Sequence, residues 1–141
     1  HFNLSHSHGR MLIAVARGQD VGADLEQIRD NVEAVKLAKR FYAPSEHGRV
    51  AGVTGLGRAK RFYRYWVAKE AVLKGQAVGL QSLQQCEILD SSDGPRAEVH
   101  LLEGATMQSG WTVHWLECGP EWAGAVSAYG SDWTIRVMTR G

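Results

Sequence analysis

The sequence predicts an α+β fold in which an antiparallel sheet packs against two or three helices. Helical periodicity is confined to the middle of the chain, from about residue 32 to residue 74. Short runs typical of β-strands precede this part and follow it. With 141 residues, of which 44% are hydrophobic and 22% charged, the chain is long enough for one ordinary core. We therefore expect a single domain over residues 1–141.

The first strands are expected close to the start of the chain. Residues 11–16 form a short apolar run, and residues 18–20 have the composition of a turn. From Val21 to Glu26, apolar and polar residues alternate as they do in a half-buried strand. We predict that the two runs form a hairpin whose outer face is acidic.

Two helices are predicted next. Asp30 fits a helix N-cap with Glu33 as its capping-box partner, and apolar residues then recur at helical spacing. Pro44 is expected to end this helix. Residues 51–58 contain three glycines and predict a loop, whereas residues 59–74 contain no helix breaker and predict a long helix.

The chain after Leu80 has the pattern of an all-β segment, with a turn predicted over residues 91–95. The predicted strands cover residues 86–89, 97–102, 111–116, 123–129 and 133–138. Four tryptophans lie here: Trp111, Trp115, Trp122 and Trp133. We expect them in the core or in an interface and not as platforms for nucleic-acid bases, because no basic residues are interleaved with them.

Composition excludes several classes of function. A net charge of +1 is too balanced for a nucleic-acid-binding protein held mainly by phosphate contacts. No apolar run approaches the roughly 18 residues that a membrane span needs, and no signal-peptide pattern is present. Cys86 and Cys118 fit neither a metal-ligand spacing nor a disulfide framework, which indicates a reducing compartment and a cytoplasmic protein. Because the first residue is His1, we expect the natural chain to begin earlier.

Two acidic residues of the predicted hairpin are candidate metal ligands. Asp24 and Glu26 are two positions apart, so on an extended strand their carboxylates point to the same side. One hard cation could bind between them. The alternative is an ordinary solvated strand face.

The long helix carries a lysine on its apolar side. Lys69 falls on one stripe with Phe62, Trp66 and Leu73. Its ammonium group either reaches water past its neighbours or is paired with an anion.

Glu70 and Lys74 lie four positions apart on the neighbouring edge of this helix. By itself such a pair is common surface decoration. Beside a lysine on the apolar face, it indicates an anion site.

Four motifs occur in a characteristic order: NLSHS at 3–7, GADLE at 22–26, FYAPSE at 41–46 and WVAKEA at 66–71, followed by Lys74 and Gly79-Leu80. This ordered set resembles the 4′-phosphopantetheinyl transferase superfamily. The Ser-His motif precedes the G-x-D-x-E strand, as in the longer surfactin-synthetase-activating (Sfp) type. The resemblance implies two similar halves packed as a pseudo-dimer with coenzyme A between them. This chain corresponds to the C-terminal half, so the site is expected to need an N-terminal half or a second chain.

The resemblance also implies a reaction. A serine of an acyl or peptidyl carrier protein attacks the β-phosphate of coenzyme A, the phosphopantetheine arm is transferred, and 3′,5′-ADP leaves. By motif correspondence, Asp24, Glu26 and Glu70 are implied to be ligands of Mg²⁺, with Glu70 also the general base. The implied contacts of the coenzyme A phosphates are Ser5, His6, Lys69 and Lys74.

Other interpretations of the same residues stay open. His6 and His8 form an H-x-H pattern that could hold zinc, although no third ligand follows at a supporting spacing. Basic residues concentrate in the two helices, so Lys39 and Arg61 are expected to contact an acidic carrier protein, and a solvated face explains the same pattern. The chain is either a catalytic transferase or a half-domain that only binds coenzyme A or carrier protein.

Overall fold

The computed structural model of the chain describes residues 1–76, 82–90, 93–103 and 105–139. The strands are β1 (Phe2–Ser7), β2 (Arg10–Val15), β3 (Val21–Gln27), β4 (Cys86–Leu89), β5 (Arg96–Glu103), β6 (Thr106–Leu116) and β7 (Trp122–Tyr129). The helices are α1 (Ala34–Phe41), α2 (Pro44–Ala51) and α3 (Gly55–Gly75), with a short 3₁₀ turn at Leu83–Gln85. None of the helices in these ranges is long and apolar enough to cross a membrane.

The strands form two antiparallel sheets. β1 and β2 make a two-stranded ribbon, and the other five strands lie in the order β3-β7-β6-β5-β4. Helix α3 packs across β3 and β7, so the core lies between this helix and the larger sheet. The predicted α+β fold, with an antiparallel sheet packed against helices, is confirmed.

The ribbon is attached to the outer edge of β3 by side chains. The backbone N–H of Ala23 donates to Asn3 Oδ1 at 3.0 Å, and the backbone N–H of Leu25 donates to Ser5 Oγ at 3.1 Å. These side chains of β1 satisfy edge donors of β3 that would otherwise need a neighbouring strand.

Helix α3 crosses β3 in direct backbone contact. A Cβ atom added to Gly22 would lie 1.8 Å from the carbonyl oxygen of Ala71, and one added to Gly75 would lie 2.8 Å from the Gly22 nitrogen. Ser127 of β7 fixes the same place, because its hydroxyl donates to the Ala71 carbonyl at 2.8 Å. Only glycine at position 22 allows the helix and the strand to approach this closely.

The predicted hairpin between residues 11–16 and Val21–Glu26 is wrong. β2 pairs with β1, through a turn in which His8 and Gly9 both have positive φ, while β3 pairs with β7. A tight turn joins β1 to β2, so the ribbon forms locally and leaves β3 to the larger sheet. The acidic face of β3 is consequently turned inward.

The helix boundaries differ from those predicted. α1 begins at Ala34, so Asp30 is not its N-cap, and Glu33 holds that position without a side-chain capping bond. α1 ends before Pro44, as expected. Pro44 is the first residue of α2, a position whose backbone N–H makes no hydrogen bond within the helix, so proline is tolerated there. α2 ends at Ala51 and α3 begins at Gly55, so only residues 52–54 of the predicted loop at 51–58 are non-helical.

Four of the five strands predicted after Leu80 are confirmed as β4, β5, β6 and β7. Residues 133–138 are not a strand; at their start, Trp133 Nε1 donates to the Gly130 carbonyl at 2.8 Å, and Arg96 lies over the Trp133 ring. Ser91 and Ser92 of the predicted turn lie outside the described residues, as does the Gly79-Leu80 part of the motif set.

Replacing Gly22 by alanine should destabilise the fold, since the new methyl group would meet backbone that has no freedom to move away. We expect a loss of about 1–3 kcal/mol, the usual cost of overpacking. Gly57→Ala is the matched control: its Cβ would meet nothing within 4 Å on α3, and alanine there should stabilise the helix by up to about 1 kcal/mol. Urea denaturation followed by circular dichroism measures both, and equal midpoints for the two variants would contradict the close crossing.

Candidate active site

The crossing of α3 and β3 brings acidic residues from both elements together. Gly22 touches α3, and residues two and four positions further along a strand point to the same side. Asp24 and Glu26 therefore face α3, the helix that carries Glu70.

Asp24 is the most enclosed of the three acids, with 6% of its surface exposed. Its Oδ1 accepts a hydrogen bond from Ser5 Oγ at 3.1 Å and lies 3.8 Å from Lys74 Nζ. Its Oδ2 is buried and has no hydrogen-bond partner among the described residues. Burial, and after it the charge of Glu26, raises the pKa of Asp24 to about 7.

Glu26 and Glu70 are half-buried and interact with the same charges. Burial and the neighbouring charge of Glu70 raise the pKa of Glu26, while His8 and Lys74 act in the opposite direction. Burial likewise raises the pKa of Glu70, and Lys74 again opposes the shift. Three carboxylates thus share one neighbourhood, and Lys74 is the positive charge that acts on all three.

The donor set suits a hard divalent cation, because all the available ligand atoms are carboxylate oxygens and one of them, Asp24 Oδ2, is buried without a hydrogen bond. Within the described ranges, no three His, Cys, Asp or Glu side chains lie close enough together to hold a metal by themselves. Water or phosphate oxygens would have to complete the coordination, as is usual for Mg²⁺. The convergence of Asp24, Glu26 and Glu70 on one ion remains a prediction.

Comparison with known protein families decides the assignment of the fold. The family model of the 4′-phosphopantetheinyl transferase superfamily matches residues 20–127, which include the carboxylates, the three helices and most of the larger sheet. The chain belongs to this superfamily.

Individual members of the superfamily are recognisably similar. The transferase HetI of a Nostoc species is 40% identical over 87 residues, which are 62% of this chain and 37% of HetI. The transferase Sfp of Bacillus subtilis is 32% identical over 80 residues, 57% of this chain and 34% of Sfp. AcpT of Escherichia coli is 33% identical over 73 residues, 52% of this chain and 37% of AcpT. The chain spans little more than a third of these relatives, and the similarity to Sfp supports the Sfp-like type.

The structure gives Ser5 a different role from the predicted phosphate contact. Its hydroxyl group donates to Asp24 Oδ1 and accepts from the Leu25 N–H, and the residue is buried. A hydroxyl has one hydrogen to donate, so none is left for a phosphate oxygen. In this arrangement Ser5 orients Asp24, and its contact with a phosphate stays a prediction. His6 lies on the opposite face of β1, where it is exposed.

Lys69 also differs from the prediction. It is fully buried, and its Nζ donates to Glu46 Oε1 at 2.7 Å, to the Leu83 carbonyl at 3.0 Å and to the Cys86 carbonyl. These three bonds use all three hydrogens of the ammonium group. Of the two alternatives for Lys69, pairing with an anion is therefore the one observed, and in this structure the anion is Glu46. Lys74, with 30% of its side chain exposed, is the lysine that faces the carboxylates.

The residues predicted to contact a carrier protein have different surroundings. Lys39 is exposed in the last turn of α1. Arg61 is ion-paired with Asp93 and lies 3.6 Å from Asp90 Oδ2, and Arg64 makes two bonds to the same Asp90. The positive charge at the start of α3 is thus partly neutralised within the chain. A docking role for Lys39 and Arg61 stays a prediction.

Three neighbours of the site were not predicted from the sequence. A side-chain hydrogen bond from Trp66 and the charge of His8 both lower the pKa of Glu26. His8 Nε2 is bonded to the guanidinium of Arg29, just beyond β3. The sequence could have indicated Trp66, because residues four positions apart on a helix, such as Trp66 and Glu70, lie side by side. His8 and Arg29 meet across two turns, which no local pattern reveals. The H-x-H zinc alternative gains no ligand set from the described residues.

The raised pKa of Asp24 makes the stability of the metal-free protein dependent on pH. In the unfolded chain Asp24 titrates near 3.8, so between that value and about 7 the native state holds a proton that the unfolded state has lost. Stability must therefore fall as the pH rises through this window, by roughly 2–3 kcal/mol between pH 5 and pH 8.

Urea denaturation in EDTA at a series of pH values measures this effect. Asp24→Asn should remove most of the decline, and Asp30→Asn, which changes an exposed acid, should leave it intact. A wild-type stability that rises from pH 5 to pH 8 would contradict the arrangement.

Proposed function

We propose that this chain supplies the catalytic carboxylates of an Mg²⁺-dependent enzyme. The enzyme transfers the 4′-phosphopantetheine arm of coenzyme A to a serine of an acyl or peptidyl carrier protein and releases 3′,5′-ADP. The observation that carries the proposal is the group of Asp24, Glu26 and Glu70 around Lys74, in a chain that belongs to the transferase superfamily. Because similar chains are named transferases, we favour catalysis over a half-domain that only binds coenzyme A or carrier protein.

The reaction needs a proton acceptor beside the attacking hydroxyl. A new bond forms between the serine oxygen and the β-phosphorus, and the bond from that phosphorus to the bridging oxygen breaks. The serine proton passes to a base, and 3′,5′-ADP leaves with the bridging oxygen. Glu70 suits the role of base because it is only half-buried and burial raises its pKa, which strengthens it as a proton acceptor.

The metal and the phosphates would be held by different residues. Asp24, Glu26 and Glu70 would hold Mg²⁺, with Asp24 Oδ2 available as an unpaired donor atom. When bound, the cation offsets the negative charge of the diphosphate and of the leaving group. Lys74 and His6, whose side chains reach solvent, would donate to phosphate oxygens.

The carrier protein would dock on the exposed end of α1, where Lys39 adds positive charge. Acidic partners are steered by such charges and not held by them alone. Because Arg61 is already bound to Asp93, we expect it to contribute less than Lys39.

Glu70→Gln and Asp24→Ala should each lower transfer in the full-length enzyme, the first because it removes the base and a candidate ligand. We expect a fall of at least about 100-fold for Glu70→Gln, in line with the usual contribution of general base catalysis. Glu33→Gln, a change of an exposed glutamate on the same chain, should stay within about twofold of wild type, the scatter expected of a surface change.

The measurement is the rate at which labelled phosphopantetheine is incorporated into carrier protein, with the folded state checked by circular dichroism. Calorimetric titration with Mg²⁺ should show weaker binding by Asp24→Ala. Near-normal turnover in either folded variant would refute the assignment.

The outer face of the ribbon is an apolar surface that a further domain would cover. Cross-strand neighbours on this face are exposed by 72% at Phe2, 79% at Val15, 42% at Leu4 and 55% at Ile13. Contiguous apolar surface of this kind marks an interface. We propose that an N-terminal half, or a second chain in its place, packs here and completes the coenzyme A site.

Ile13→Glu should therefore lower the thermal stability of the full-length enzyme, because it places a charge in this interface. Met107→Glu is the matched control, since Met107 is 62% exposed on β6 in the other sheet. In thermal unfolding we expect a clear fall in Tm for Ile13→Glu only. Equal Tm values, together with full transfer activity of monomeric residues 1–141, would show that no further half is needed.

A further inference from the structure

One fully buried ion pair has no part in the transfer chemistry proposed above. Lys69 of α3 and Glu46 of α2 are both 0% exposed, and Lys69 Nζ lies 2.7 Å from Glu46 Oε1. Taking two charges out of water is costly, and their attraction repays that cost only when further hydrogen bonds satisfy both groups. A pair of this kind calls for a reason beyond stability.

We propose that the Lys69–Glu46 pair is a positioning device, which fixes the rotation of α3 about its axis and so holds Glu70 against β3. The proposal rests on the proposed function for the role of Glu70. It assigns Lys69 to the support of a catalytic residue and not to substrate.

The pair ties three separate parts of the chain to one point. Lys69 donates to the carbonyls of Leu83 and Cys86 as well as to Glu46. Glu46 Oε1 accepts from the Ala43 N–H at 2.8 Å, and its Oε2 accepts from the Ile88 N–H at 2.7 Å. The start of α2, the middle of α3 and the segment that leads into β4 thus share one network. Nearly every polar atom of the pair makes a hydrogen bond, and rotating α3 about its axis would break several of these bonds at once.

Lys69 and Glu70 are consecutive, so their side chains leave the helix about 100° apart. Fixing Lys69 toward α2 and β4 fixes the direction of Glu70 toward β3. On that side, the contact of Gly22 with Ala71 and Gly75 sets how closely the helix approaches the strand. The glycine contact sets the separation, and the ion pair sets the rotation.

A positioning role and a phosphate contact predict different behaviour on removal of the partner. In Lys69→Met, the carboxylate of Glu46 is left buried and unpaired, so α2 and α3 must shift. In the double variant Glu46→Gln/Lys69→Met, no buried charge is left unpaired, and the two neutral side chains can fill the same space and hold the helix by packing. A lysine that touched phosphate would gain nothing from the second change.

The test compares the full-length wild type, Lys69→Met and Glu46→Gln/Lys69→Met in steady-state transfer. We expect kcat to fall in Lys69→Met and to recover at least about tenfold in the double variant, which corresponds to a coupling of usual size for contacting residues. The KM for coenzyme A should stay within about twofold in both, because uniform binding is not affected. Leu101→Ala, a core change on β5, controls for lost stability and should leave kcat per folded molecule unchanged.

A second measurement does not depend on activity. The nuclear Overhauser effect between backbone protons of Gly22 and Gly75 reports how closely α3 packs on β3. It should weaken in Lys69→Met and return in the double variant. If the wild type shows no transfer, the proposed function fails while this comparison still tests the positioning. A double variant that recovers neither quantity, or a Lys69→Met variant in which only the KM for coenzyme A rises, would overturn the inference.

Discussion

The close crossing of α3 over β3 is the constraint on which the rest of the structure depends. Gly22 has no side chain, so the carbonyl of Ala71 can sit where a Cβ atom would otherwise be. At that distance, the charge of Glu70 acts on Asp24 and Glu26, which lie two and four positions further along β3. Ser127 holds the helix carbonyl from β7, and the ribbon holds the other edge of β3 through Ser5. The site is thus a consequence of how near one helix lies to one strand.

Bringing three carboxylates into a partly buried space is unfavourable without a cation. Burial raises the pKa of Asp24, Glu26 and Glu70, and repulsion between carboxylates adds to it at Asp24 and Glu26, while Lys74 opposes the shift at all three and His8 opposes it at Glu26. The buried pair of Lys69 and Glu46 is the opposite case, because two charges compensate each other and many hydrogen bonds surround them. Glu70 of the proposed cation site and Lys69 of the buried ion pair are adjacent residues of α3.

Local patterns predicted much of this arrangement, and they failed where long-range contacts decide. The helical period of residues 59–74 placed Glu70 and the two lysines on one helix, and the D-x-E spacing placed Asp24 and Glu26 on one side of a strand. For the lysine on the apolar stripe the sequence left two alternatives, and pairing with an anion is the one observed. The identity of that anion as Glu46, 23 positions away by sequence number, depends on how α2 packs. The pairing of β3 with β7 instead of β2, and the unpaired residues 133–138, likewise depend on the whole sheet. The order of the motifs indicated the family without any knowledge of these long-range contacts, and the family model confirms it.

The central proposal is that Asp24, Glu26 and Glu70 would together hold one divalent cation at the α3–β3 crossing. A crystal structure of the full-length enzyme with Mg²⁺ and coenzyme A tests it most directly. The account predicts a cation with carboxylate oxygens of Asp24 and Glu70 at about 2.0–2.1 Å, or joined to it through one water, and with coenzyme A oxygens completing an octahedron. A cation bound elsewhere with the diphosphate, leaving Asp24 Oδ2 without a ligand, would contradict it.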